Sequence, residues 1–171
     1  MPALWGIAGV LALLGNAIYR LTPYAVELAR LRLDAVQITV LVGWVAFNAY
    51  AEGYRAFHRM FSPRVVARAR TLDNAPWLHK LLAPIYCMGL FHATRKRLLV
   101  SWTVTLAIIG IVIVVRALAQ PWRGIIDAGV VVGLAIGVVS IIYHYLRALA
   151  GHAMPVPADL PPQAAQPDER R

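Results

Sequence analysis

Glu52 is the first candidate for chemistry, because it is an acid at the end of an otherwise apolar stretch. Trp44, Asn48 and Glu52 recur at intervals of four residues and therefore share one face of a helix. Gln37 lies earlier in the same stretch and extends this polar intramembrane face. A carboxylate in apolar surroundings is costly, so it is typical of sites that respond to a proton or a cation. The alternative is an ordinary boundary ion pair between Glu52 and Arg55, three residues further on.

Histidine and sulfur side chains are the second candidates, because they can bind metals. Two imidazoles facing each other across a helical bundle bind haem, and His144 could face His58 or His92. Cys87, Met88 and His92 combine soft sulfur ligands with an imidazole, a set that suits copper. Such residues in apolar or boundary segments are more often packing residues, so no cofactor is expected. The single Cys87 excludes an intrachain disulfide.

Basic residues form the third group, and nine of the seventeen lie between Glu52 and Arg97. Lysine and arginine beside apolar segments attract anionic phospholipid and fix the orientation of a membrane protein. Nucleic acid is not an expected partner, because these residues flank apolar segments and form no separate polar domain. The residues expected to bind lipid or a partner protein are Arg55, Arg59, Arg64, Arg68, Arg95, Lys96 and Arg97.

Gly129, Gly133 and Gly137 form a fourth pattern, with a spacing of four residues within one apolar stretch. On a helix this spacing produces a smooth groove, which lets another backbone approach closely in lipid. We expect the groove to serve helix packing, either inside the bundle or against an identical subunit. A substrate or ion path beside the groove is the alternative.

Membrane-spanning helices are the elements that would position these residues. Hydrophobic residues make up 60% of the 171 residues and charged residues 15%, which is too apolar for a soluble fold. We therefore expect an all-α integral membrane protein with four transmembrane helices. Pro23 is expected to begin a separate interfacial helix after the first of them. The expected spans are about 3–19, 35–52, 98–116 and 125–146.

A basic, helical cytoplasmic loop is expected over residues 53–97, with a new helix beginning at Ser62 and Pro63. The positive-inside rule places this loop in the cytoplasm of a bacterial inner membrane. With four spans, both the N-terminus and the C-terminus are expected in the cytoplasm. Residues 153–171 hold five of the eleven prolines and are expected to form a disordered tail.

Residues 77–93 are apolar enough to raise the question of a fifth span. Lys80 would be costly within the hydrocarbon layer, and Pro84 interrupts the middle of the segment. The segment is therefore expected to be interfacial or re-entrant.

Motifs for catalysis are absent: the chain has no Walker A loop, no zinc-protease H-E-x-x-H and no G-x-S-x-G. The leading hypothesis is a non-enzymatic membrane protein that self-associates or serves as an accessory subunit, with its basic loop on anionic lipid or a partner. One alternative is a small oligomeric channel or transporter with Asn48 and Glu52 in its polar path, lined further by Ser101, Thr103 and Thr105. Another is a haem or copper redox protein.

Overall fold

Helices account for all of the regular structure in the part of the chain that the computed structural model describes, residues 2–73 and 75–161. A π-helical segment, Ala49–Phe61, joins the second and third helices, and short 3₁₀ turns follow the first and third. The helices are α1 (Pro2–Glu27), α2 (Ala35–Asn48), α3 (Ser62–Ala69), α4 (Trp77–Leu81), α5 (Ala83–Cys87), α6 (Arg95–Arg116) and α7 (Trp122–Leu149).

Three helical stretches are long and apolar enough to cross a membrane: Pro2–Arg30, which is α1 with its 3₁₀ turn, then α6 and α7. They support the expected all-α membrane protein. The fourth expected span, 35–52, is divided between the 14 residues of α2 and the start of the π segment.

The first helix is longer than expected and contains Pro23 in its interior. The separate interfacial helix expected to start at this proline is therefore wrong. Proline removes one backbone hydrogen bond from a helix, and in the same turn the Thr22 hydroxyl donates to the Ile18 carbonyl at 2.7 Å. At 1.5 Å per residue, 26 residues extend about 39 Å, which exceeds a hydrocarbon layer of ~30 Å.

The second helix, the π segment and α3 form one uninterrupted helical rod. Ser62 and Pro63 do not begin a new helix, because the backbone is right-handed helical on both sides of this junction. The same holds at Ala49, where α2 passes into the π segment. A large part of the expected loop is thus a direct extension of the second expected span.

The long helices alternate in direction around α7. Gly124, near the start of α7, lies against Tyr24 near the end of α1, so these two helices are antiparallel. Gly129 lies against Trp44 and Gly137 against Phe57, so α7 and the rod from α2 to α3 run in the same direction.

A hydrophobic core lies at the end of the bundle where α3, α5, the start of α1 and the last part of α7 meet. Ala3 and Met154 both pack against this core, so the two ends of the described chain lie together. We call this region the basic end, because most of the arginines between residues 53 and 97 are there. The buried core residues are Ile7, Val10, Val65, Val66, Ala69, Leu72, Ala83, Tyr86, Cys87 and Ile141.

The sixth helix stands largely apart from the bundle, and Ser101 is its one buried residue. Its first turns are held to the preceding segment, because Ser101 donates to the Met88 carbonyl at 3.4 Å and Trp102 donates to the Leu90 carbonyl at 3.0 Å. The apolar side chains that follow, from Val104 to Val114, are mostly exposed.

Residues 77–93 contain α4 and α5, each of five residues. Neither helix is long enough to cross a membrane, and the backbone takes positive φ angles at Gly89 (77°) and His92 (48°) before α6 begins. Ala83, Tyr86 and Cys87 face the core. The opposite, exposed face is apolar and consists of Trp77, Leu78, Leu81, Leu82 and Ile85.

The chain after α7 folds back onto the basic end. Residues 153–161 contain no helix, yet Met154 packs against the core and Asp159 forms an ion pair with Arg64 at 2.8 Å. The expected disordered tail is thus wrong for this part of the chain. The rest of that tail, 162–171, lies outside the described residues.

Candidate functional site

The three glycines of α7 and the polar face of α2 meet in one contact, which we call the seam. A Cβ added to Gly129 would lie 2.5 Å from the Trp44 ring, and one added to Gly133 would lie 2.7 Å from the Glu52 carboxylate. At these distances the glycine hydrogen atom fits, but a side-chain carbon does not. The groove that suggested an identical subunit is therefore filled by side chains of the same chain.

Hydrogen bonds to backbone carbonyls run along the seam. Trp44 Nε1 donates to the Ile126 carbonyl at 3.1 Å, and Asn48 Nδ2 donates to the Trp44 carbonyl at 2.8 Å. Further along, the Ser62 hydroxyl donates to the Gly137 carbonyl at 3.5 Å. These bonds satisfy polar groups that lipid could not, so the seam combines close packing with polar pairing.

The π segment keeps the rod in register with α7 beyond Glu52. An α-helix would present Ala56 next, but the wider π turn presents Phe57, five residues on, against Gly137. Gly53 likewise packs against Ile136, and His58 reaches Ser140. A spacing of four from Glu52 does not reach Phe57, because that spacing no longer applies in a π-helix, whereas His58 was considered from the sequence only as a partner of His144.

Glu52 does not form the boundary ion pair considered from the sequence. Its carboxylate packs on Gly133, whereas Arg55 is exposed. Two ion pairs occur among the described residues, Arg64 with Asp159 and Arg123 with Asp127. Glu52 is thus a half-buried acid whose carboxylate is directed to a helix backbone.

Gln37 caps the start of α2 and does not take part in the seam. Its side chain accepts from the backbone N–H of Asp34 at 3.1 Å, while its own N–H donates to the Asp34 carboxylate at 2.7 Å. This reciprocal pair is a capping box. Gln37 therefore starts α2 and is not available to line a path.

The hydroxyls proposed for a pore lining are also engaged. Ser101 bonds to Met88, and the Thr105 hydroxyl donates to the Ser101 carbonyl at 2.8 Å, whereas Thr103 is exposed. The contact described for Glu52 is with α7. The structure therefore does not place these hydroxyls in one path with Glu52.

His58 and His144 meet at the end of the seam. The His58 ring lies 3.1 Å from the Ser140 hydroxyl, and His144 Nε2 lies 3.0 Å from the His58 carbonyl. The two ring centroids are 5.1 Å apart and His144 is buried. On α7, Gly133, Ser140 and His144 follow one helix face, so the seam links Glu52 to this histidine pair.

The suggested copper ligands are directed to different partners. Cys87 faces α1, where its sulfur lies against Gly6, and His92 packs on His79 with ring centroids 4.4 Å apart. Burial raises the pKa of the Cys87 thiol to about 12, so the thiol is protonated in this environment. Among the described residues, no group of three or more His, Cys, Asp or Glu side chains is arranged to hold a metal ion.

Arg68 does not belong to a lipid-facing surface, and its expected role is corrected. It is completely buried, and desolvation lowers the pKa of its guanidinium. Its guanidinium lies 4.3 Å from the centre of the Tyr86 ring. It donates to four backbone carbonyls, those of Tyr86 (2.6 Å), Ala158 (2.8 Å), Phe91 (3.0 Å) and His92 (3.1 Å). Arg68 therefore ties α3 to the segment before α6 and to the C-terminal segment.

The other basic residues divide into two sets. Arg64 and Arg97 are half-buried near Asp159. The remaining four point into the surroundings of the basic end and are Arg55, Arg59, Arg95 and Lys96. These four are the members of the predicted set that are freely available to an external anion.

No protein-family model, curated protein or solved structure matches this chain. Its function therefore has to be inferred from its own residues and their contacts.

Replacing Gly133 with leucine tests the seam. The new side chain would meet the Glu52 carboxylate, so Gly133→Leu should lower the free energy of unfolding by about 1–3 kcal/mol. Thermal unfolding of the purified protein in mild detergent measures this. Gly110→Leu on α6 is the matched control, since no atom lies within 4 Å of its added Cβ. Equal stability of the two variants, or a change in oligomer size alone, would contradict the intrachain seam.

Replacing Arg68 with methionine tests its role as a tie. Arg68→Met leaves buried carbonyls without a donor, so unfolding should become easier by about 2–5 kcal/mol. Arg70→Met is the control, because Arg70 is exposed two residues away and should change stability by no more than about 0.5 kcal/mol. Chemical unfolding followed by tryptophan fluorescence provides the measurement. Similar losses in both variants would argue against a specific role for Arg68.

Proposed function

We propose that the protein is a non-enzymatic membrane protein whose basic end binds anionic phospholipid at the cytoplasmic surface of a bacterial inner membrane. The observation that carries this proposal is that two exposed surfaces, one basic and one apolar, lie at the same end of the bundle. One consists of Arg55, Arg59, Arg95 and Lys96, and the other is the apolar outer face of α4 and α5. Apolar side chains enter the headgroup boundary while basic ones meet the phosphates.

The proposed topology has four crossings, with α2 and the start of the π segment as the second. Helices α1 and α7 are antiparallel, whereas α2 is parallel to α7. The chain that leaves α1 therefore returns along α2 to the basic end. Arginine concentrated at that end places it in the cytoplasm. Both termini then share that side. Helix α6, with its exposed apolar side chains, is the most lipid-facing crossing.

Charge removal at the basic end should weaken the preference for anionic lipid. Each basic residue near the headgroups contributes about 1 kcal/mol, so replacing Arg55, Arg59, Arg95 and Lys96 by Gln should reduce that preference about tenfold or more. Native mass spectrometry of the protein with mixed phosphatidylglycerol and phosphatidylethanolamine measures it.

The matched control removes the same number of charges from the exposed arginines toward the other end, Arg20, Arg30, Arg32 and Arg116. This control variant should retain the lipid preference. An equal loss in both variants would show a general charge effect and overturn the assignment to the basic end.

A second candidate function is proton or cation movement along the seam. It is favoured by the position of Glu52, whose carboxylate enters the α7 glycine face that continues to His58 and His144. Ionisable groups within membrane helices often mark such paths. The filled glycine groove argues against a wide aqueous pore, so a proton relay is the form that fits.

Proteoliposomes enclosing a pH-sensitive dye test this candidate. It predicts proton uptake under a membrane potential, with a loss of most of the flux in Glu52→Gln and none in Glu27→Gln, which changes an exposed acid at the far end of α1. An absence of flux from the wild-type protein eliminates the function. Flux that survives Glu52→Gln eliminates Glu52 as the relay.

A further inference from the structure

The C-terminal segment, residues 150–161, is held at the basic end by contacts with two different elements. Arg68 Nη1 donates to the Ala158 carbonyl at 2.8 Å, and the backbone N–H of Thr94 donates to the Asp159 carbonyl at 2.9 Å. The Asp159 carboxylate pairs with Arg64 Nε at 2.8 Å. Asp159 therefore lies between α3 and the start of α6.

The charges around Asp159 are not balanced. Arg64, Arg68 and Arg97 all lie close enough to act on one another, and Asp159 is the acid that acts with them. Arg68 is buried behind this group, while the Arg64 side chain is 12% exposed and the Asp159 side chain 25% exposed. Arg97 Nε is buried and forms no hydrogen bond within the described part of the chain. The Asp159 carboxylate thus contacts the guanidinium of Arg64, while those of Arg68 and Arg97 lie nearby without a carboxylate partner of their own among the described residues.

A phosphomonoester matches these groups better than a carboxylate does. It carries a charge of about −1.5 to −2 and three acceptor oxygens, and guanidinium groups bind such oxygens in pairs. The donors that would meet it are Arg64, Arg97 and the Thr94 N–H, which now donates to the backbone carbonyl of Asp159. The carboxylate and the backbone carbonyl of Asp159 now occupy two of these donors, those of Arg64 and Thr94, with less charge than a phosphomonoester carries.

We propose that Arg64, Arg97 and the N–H of Thr94 form a phosphomonoester site, which Asp159 covers and which the bound anion opens by displacing residues 150–161. The anion can be a lipid headgroup, such as that of phosphatidic acid, or a soluble phosphate. The first source rests on the proposed position of the basic end at the membrane surface, and the second does not.

Hydrogen exchange of the full-length protein in nanodiscs tests the proposal. Peptides covering residues 150–161 should exchange faster when phosphatidic acid replaces phosphatidylglycerol, or when millimolar inorganic phosphate is added, whereas the Thr94 amide should stay protected because the anion replaces Asp159 as its acceptor. Asp159→Ala should expose the segment without any anion and should strengthen phosphate binding about tenfold. Arg64→Gln with Arg97→Gln should abolish the response.

Matched variants separate this site from the lipid surface. Arg70→Gln removes an exposed charge near α3 and should leave the response intact. The variant lacking Arg55, Arg59, Arg95 and Lys96 should also keep its response to soluble phosphate, so a failure of the proposed function is distinguishable. A response to phosphatidic acid alone identifies the headgroup as the source, and one to free phosphate identifies the soluble anion.

Three results would overturn the site. They are unchanged exchange with both anions, unchanged phosphate binding in Asp159→Ala, and an equal effect of Arg70→Gln and Arg64→Gln.

Discussion

Close approach between α7 and the rod formed by α2 and the π segment is the constraint on which the rest of the bundle depends. In lipid, helices gain little from hiding apolar side chains from one another, so their association relies on packing and hydrogen bonds. Three glycines supply the packing, because each leaves space for one side chain of the rod. Trp44 and Ser62 supply hydrogen bonds to backbone carbonyls of α7, and Asn48 bonds to a carbonyl of its own helix. The polar groups of Trp44 and Asn48 are thus paired inside the bundle.

This constraint also explains why the rod changes helix type. Two helices that stay in contact must keep their facing residues in step, and Gly133 and Gly137 are four residues apart on α7. Their partners Glu52 and Phe57 are five apart, a spacing that the π turn brings to one face. The rod consequently delivers α3 to the basic end in an orientation that buries Val65, Val66 and Arg68. There Arg68 ties α3 to the two other segments at that end.

The sequence is sufficient to identify the apolar helices but not to predict which helices pack against each other. Hydropathy and length identify α1, α6 and α7, because a run of about 20 apolar residues is typical of a membrane-spanning helix. The spacing of Gly129, Gly133 and Gly137 indicated a groove, and that of Trp44, Asn48 and Glu52 a polar face. Nothing in either pattern shows that one fills the other, since that depends on which helices are neighbours.

The basic residues show the same limit. Arg55 and Arg68 lie in the same polar segment of the sequence. No local pattern distinguishes the exposed Arg55 from Arg68, which is buried among backbone carbonyls. That difference depends on the position of residues 86–92 and on the return of the C-terminal segment, whose proline-rich composition predicted disorder. Likewise, Pro23 and Pro63 have the residue type of helix starts, yet tertiary packing keeps both within continuous helical stretches.

Cysteine pairing across the seam tests the central claim most directly. The Cβ of Glu52 lies 3.2 Å from the position of a Cβ on Gly133, close to the distance of about 3.5–4.5 Å that a disulfide needs. In a Cys87→Ala background, Glu52→Cys with Gly133→Cys should oxidise to an intrachain disulfide, which gives a monomer without free thiols. Disulfide-linked dimers, or thiols that stay free under oxidation, would contradict an intrachain seam.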